Sequence, residues 1–114
     1  MNIIATTTHD GKTMYKLTKG ANLKRIQDSE GAEIIVKNYI HYEDVKASGE
    51  VMQILAIEDQ NGTMYATNSP TFREAFLDIA KMCGDDPAAM IGEKVIVTSG
   101  ISKAGRKYFI CTWA

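Results

Sequence analysis

Hydrophobic and polar residues alternate along most of this chain, and helical spacing takes over in one stretch only. Residues 2–18, NIIATTTHDGKTMYKLT, hold two β-prone runs on either side of Asp10-Gly11, a dipeptide suited to positive φ, and predict an N-terminal hairpin. Residues 21–31, ANLKRIQDSEG, are polar and end in glycine, which reads as a short helical turn or a loop. AEIIVKNYIHYEDV (32–45), EVMQILAIEDQ (50–60) and TMYATN (63–68) predict three strands joined as a meander through KASG and Asn61-Gly62. In SPTFREAFLDIAKMCG the residues Phe72, Phe76, Ile79, Ala80 and Cys83 recur at helical spacing. Asn68 or Ser69 can cap this helix, Pro70 suits its first turn and Gly84 closes it. After DDPAAMIGE (85–93), KVIVTSG (94–100) and RKYFICTWA (106–114) predict two more strands.

The resulting order, β-β-β-α-β-β, is that of a five-stranded Greek-key barrel of the OB type, with the helix sealing the barrel between strands three and four. A split β-grasp or an open α+β sheet has similar ingredients. The expected architecture is a single, mainly β domain over residues 1–114, with an N-terminal hairpin or extension over 1–31 and the barrel over 32–114. At 114 residues and 45% hydrophobic content the chain can build one core of ordinary density. In the second barrel strand both Val51, Gln53, Leu55, Ile57 and Met52, Ile54, Ala56 make largely apolar faces, so either can look inward. The other face then needs a cover, from the N-terminal segment or from another subunit.

No run approaches the ~18 apolar residues of a membrane span, and MNIIATTTHD lacks a secretory pattern, so a cytoplasmic protein with no membrane partner is expected. Cys83 and Cys111 form no C-x-x-C pair and read as free thiols; with only His9 and His41 to join them, neither a metal nor another cofactor is expected. The net charge of -1 argues against a generally basic nucleic-acid binder, but its distribution is uneven. Lys12, Lys16, Lys19, Lys24 and Arg25 stand against Asp10 alone in residues 1–26, giving +4; residues 102–114 carry +3 and the middle of the chain -8. Such asymmetry places positive surface on a protein of neutral average, as a partner site or as a solvated face.

Residues 100–107, GISKAGRK, come within one residue of the P-loop pattern G-x-x-x-x-G-K-[ST]. A P-loop needs a helix after it, because the helix N-terminus helps form the anion site. Here Arg106 follows Gly105 and the chain continues as a β-prone Lys-Tyr-Phe-Ile-Cys-Thr-Trp, so a hairpin tip carrying Lys103, Arg106 and Lys107 replaces the nucleotide reading. On an OB barrel this tip is one of two loops flanking the oligonucleotide groove. Such a groove needs cations for phosphates and π-faces for unstacked bases. Lys37, Tyr39 and His41 share one face of the first barrel strand by period two, opposite Val36 and Ile40. Tyr65 lies in the third strand. In the last strand Arg106 and Tyr108 share one face and Phe109, Cys111 and Trp113 the other; the Tyr108 face is assigned outward, with the reverse left open.

The segments MYKLTKG, TNSPTF and SKAGRKYFICTW resemble those of small single-stranded DNA-binding proteins of bacteriophages, a diverse group of OB folds. The likeness runs over most of the chain from about Met14. It implies sequence-tolerant coating of single-stranded DNA exposed in phage replication or recombination, in the cytoplasm of a host cell, with self-association and contacts to replication or recombination proteins. By position it favours Lys103, Arg106, Lys107 and Tyr108 as DNA contacts. The acidic flexible tail of many such proteins has no counterpart in a sequence that ends at Trp113-Ala114, which puts recruitment by a tail in doubt.

No catalytic residues are expected. His9 falls at a turn, His41 on a strand face beside Lys37 and Tyr39, and Ser99 and Ser102 near Lys103 on a hairpin tip. Glu43-Asp44, Glu58-Asp59 and Asp85-Asp86 are sequence neighbours, which point to opposite faces of a strand and do not pair on a metal. Asn61-Gly62-Thr63 fits a glycosylation pattern but reads as a turn. The expected function is therefore non-enzymatic single-stranded DNA binding. Lys12, Lys16, Lys19, Lys37, Lys103, Arg106 and Lys107 would meet phosphates, and Tyr39, His41, Tyr65, Tyr108 and Trp113 would meet bases. The alternatives are a structural, assembly or protein-interaction β-barrel subunit and, as OB grooves also host them, an oligosaccharide- or peptide-binding barrel.

Overall fold

A computed structural model describes all residues, 1–114. Seven strands and two helices follow one another as β1 (Asn2–Thr6), α1 (Gly11–Lys19), β2 (Leu23–Arg25), β3 (Glu33–Val45), β4 (Val51–Asp59), β5 (Met64–Thr67), α2 (Pro70–Cys83), β6 (Lys94–Ile101) and β7 (Lys107–Trp113). Short 3-10 turns occupy Ile26–Asp28 and Pro87–Met90. The strands form one sheet in the order β2-β5-β4-β3-β6-β7, with β1 added to β3. All pairings are antiparallel except β2 with β5. The 13-residue β3 is the axis of the sheet. On one edge it pairs with β4 along most of its length; on the other, β6 takes Glu33–Ile35 and β1 takes Ile40–Glu43.

The five strands and the helix read from residues 32–114 are present, within a residue or two of their expected ends. The strand count and order differ from the expected five-stranded barrel. β1 and β2 join the sheet, and no ladder links β5 to β7, so the sheet curls into a half-barrel. The expected hairpin about Asp10-Gly11 is also corrected. Asp10 is the N-cap of α1, its carboxylate accepting from the Thr13 backbone N–H at 2.9 Å and from the Thr13 hydroxyl at 2.7 Å. A capping carboxylate satisfies a backbone donor that the first helical turn leaves unpaired, so the helix wins over the turn.

Two cores result, one on each face of the sheet. In the larger, Phe72, Phe76, Ile79 and Ala80 of α2 pack against Tyr39, Leu55, Ile57, Val95, Val97 and Cys111, with Ile26 and Met90 filling the ends. In the smaller, Leu17 of α1 packs on Ile40, Tyr42 and Ala56, flanked by Met14, Ile54, Met64 and Ala66. The two apolar faces of β4 are thereby both accounted for: Leu55 and Ile57 look toward α2, Ile54 and Ala56 toward α1. The cover comes from the N-terminal segment. Cys83 and Cys111 are free thiols, and burial pushes Cys111 up to about 12, leaving it an unreactive core residue. No helix is long and apolar enough to cross a membrane.

Candidate nucleic-acid interface

The β6–β7 hairpin carries the expected basic tip. Gly100 faces Tyr108 and Ile101 faces Lys107 across the ladder. Beyond them Ser102 N–H donates to Arg106 C=O at 2.8 Å and Gly105 N–H to Ser102 C=O at 2.9 Å. Gly105 closes the turn at φ +78°, a backbone region that glycine enters at no steric cost. Lys103 and Arg106 are exposed, and neither belongs to any of the four ion pairs of the chain. Lys107 behaves differently: its ammonium lies 2.7 Å from Glu30 Oε1 and 5.4 Å from the centre of the Phe109 ring. It clasps the hairpin to the chain before β3 and is not a free tip cation.

Outward placement of Tyr108 holds, since Cys111 and Phe109 on the opposite face join the larger core. Tyr108 is 38% exposed. Its ring lies across Gly100: a Cβ added there would come within 2.5 Å of both Cζ and Oη. The missing side chain of Gly100 is thus the seat of the ring. Trp113, 42% exposed, lies at the far end of β7, where its indole N–H donates to Glu93 Oε1 at 3.0 Å.

Of the three tyrosines expected to meet bases, only Tyr108 is on the surface; Tyr39 and Tyr65 are buried. Tyr39 is 2% exposed and meets Phe76 edge-to-face with ring centres 5.1 Å apart; Tyr65, 7% exposed, joins the same core. Burial, first of all, pushes both phenols above their ordinary value. His41, 7% exposed, places Nε2 3.0 Å from Gln53 Oε1. Tyr39 and His41 line a depression of about 530 Å³ between β1 and α2, with Ile4, Ala5 and Leu77 as its apolar walls. The period-two assignment of β3 fails at a bulge. Val36 faces Asp59 and Asn38 faces Glu58, so β3 takes two steps where β4 takes one. The parity therefore changes, and Tyr39 falls on the core side together with Val36.

The remaining cations gather on the other side of the smaller core. Lys12, Lys16 and Lys19 lie on exposed positions of α1, and Lys19 is 3.8 Å from Asp44. Lys16 and Lys37 border a depression of about 770 Å³, joined by Lys24, a residue of the basic N-terminal segment that the site reading passed over. The only hint of Lys24 in the sequence is the excess of positive charge in residues 1–26. His9 is exposed just before α1, and no group of three metal-ligating side chains occurs. Set against family models, curated proteins and solved structures, the chain has no match.

Proposed function

We propose that this chain is a non-enzymatic, sequence-tolerant binder of single-stranded DNA that uses the tip and outer face of the β6–β7 hairpin. The observation that supports this reading is the placement of the Tyr108 ring on Gly100, two residues from the unpaired Arg106 and close along the chain to Lys103. A phosphodiester strand brings negative charge to the two cations, and an unstacked base meets the exposed ring. The half-barrel is read as an OB-like scaffold in which this hairpin supplies the loop between the last two barrel strands. With the resemblance to bacteriophage single-stranded DNA-binding proteins, the role is to protect DNA exposed in replication or recombination. Self-association and recruitment of replication or recombination proteins belong to the same reading.

The test is a titration of a labelled ~30-nucleotide poly-thymidine strand and its duplex, followed by anisotropy at two salt concentrations. The expected result is salt-dependent binding that favours the single strand, weakened about tenfold or more in a Lys103→Ala/Arg106→Ala variant, with a salt slope shallower by about 1.4 for two lost phosphate contacts. Equal affinity and slope in that variant would reject the hairpin as the site. Stable rings or filaments with no affinity for DNA would favour the assembly-subunit reading.

A further inference from the structure

The depression bordered by Lys16, Lys24 and Lys37 lies between the C-terminal end of α1 and the β4–β5 turn. Three separate elements deliver the three ammonium groups: a helix, the short strand β2 and the bulge of β3. At that bulge the extra residue is Lys37 itself, so a break in the ladder turns its exposed side chain toward the depression. None of the three belongs to any of the chain's ion pairs. The single carboxylate on the wall, Glu58, is buried, forms no ion pair and accepts at Oε1 from the Asn38 amide at 3.1 Å. The helix dipole accounts for Lys16 and Lys19 in the last turn of α1, but not for Lys24 and Lys37, which come from strands. Three ammonium groups against the one wall carboxylate leave the depression net positive, and an anion between them offsets the remaining repulsion.

We propose that this depression is a second anion site, built for the phosphate groups of a polyphosphate-like ligand, whether a DNA backbone or a free polyphosphate. Its lining decides the class. Thr13, Asn22, Asn61 and Thr63 add polar groups, while no aromatic residue and only two apolar ones, Ala21 and Met64, are present. Phosphates are held there and bases are not. At about 770 Å³ and open to solvent, the space admits several phosphates in a row. It stands apart from the hairpin, on the side of the molecule that α1 covers.

The experiment titrates the full chain with inorganic tripolyphosphate by calorimetry at low salt, and with the labelled poly-thymidine strand by anisotropy. It compares wild type, Lys16→Gln/Lys24→Gln/Lys37→Gln and Lys103→Ala/Arg106→Ala. Glutamine keeps side-chain length and polarity, and circular dichroism reports folding. A single Lys24→Gln change on the exposed β2 serves if the triple variant unfolds. Tripolyphosphate affinity is expected to fall at least tenfold in the triple variant, or about threefold in the single one, and to stay within twofold of wild type in the hairpin variant. A parallel loss of strand affinity, with a salt slope lower by about 2, identifies the DNA backbone as the source of the phosphates; strand binding that does not change identifies a free polyphosphate. Absence of tripolyphosphate binding by wild type, or equal binding by folded lysine variants, overturns the site. A hairpin variant that binds the strand as wild type does overturns the hairpin reading alone.

Discussion

At the scale of single residues, Gly100 and Tyr108 form one unit. An alanine at Gly100 would place its Cβ 2.5 Å from the phenol end of Tyr108, and the flexible ring, not the backbone, is the part free to move away. Gly100→Ala is therefore expected to fold normally and to bind poly-thymidine about as poorly as Tyr108→Ala. The loss of one base stack corresponds to about 1–3 kcal/mol. Tyr108→Phe keeps the ring and is expected to stay within about threefold of wild type. Anisotropy titrations on the three variants check this; a Gly100→Ala protein that binds like wild type would detach the ring's seat from the site. Period-two reasoning set Tyr108 on the face opposite Phe109 and Cys111 because β7 is regular along its pairing with β6, while which face looks outward follows only from the packing of those two residues on the larger core. It failed for Tyr39, two residues past the bulge at Lys37, because a bulge leaves no compositional mark in that strand. Tyr65 was misplaced because a four-residue strand facing α2 looks the same in sequence as one facing solvent.

Among the elements, α1 is where local chemistry and local pattern disagreed. Asp10-Gly11 followed by Lys-Thr-Met-Tyr is compatible with a hairpin, and the β-prone residues before it favour that reading. Yet the Asp10 cap and the pairing of Met14 with Leu17, three residues on, are helix signals in the same stretch. Tertiary demand decides between them: the second apolar face of β4 needs a cover, and a helix supplies it. That demand was legible in the doubled hydrophobic pattern of residues 51–57, although the identity of the cover was not. Leu17 is the fully buried centre of the contact. Leu17→Ala is expected to destabilise the chain by about 2–5 kcal/mol, measured by urea denaturation, because it removes the knob between α1 and the sheet and leaves a cavity. Tyr15, exposed on the same helix, tolerates alanine with a change within about 0.5 kcal/mol. Equal effects at the two positions would mean that α1 does not pack as described.

For the molecule as a whole, the open half-barrel depends on what bridges its two ends. Residues 26–31 run from β2 toward β3, and along them Ile26 enters the larger core and Glu30 reaches the β6–β7 hairpin. One carboxylate oxygen of Glu30 meets Lys107 at 2.7 Å and the other accepts from the Ser99 hydroxyl at 2.8 Å. These contacts, the Lys107 bond first, hold the Glu30 carboxyl below its ordinary value. A carboxyl depressed in the folded state binds its proton more readily when unfolded, so its contribution is complete above the unfolded value of about 4.3 and is lost as pH falls through the lower folded value. The clasp is solvent-exposed, so its loss is expected to loosen the hairpin locally and not to unfold the chain. Between about pH 5 and pH 3, after correction for intrinsic exchange, amide protection in Ser99–Arg106 is expected to fall more steeply than in β3 and β4. In Glu30→Gln the hairpin is expected to be less protected at pH 5 and to lose that extra steepness. Other carboxylates titrate in the same range, so the comparison with Glu30→Gln carries the assignment. If both proteins lose hairpin protection in parallel, the bridge between the ends of the half-barrel rests on the core contacts of Ile26 and on the backbone bonds of Gly31 and Ala32 with Val97, and the hairpin is held without the Glu30 clasp.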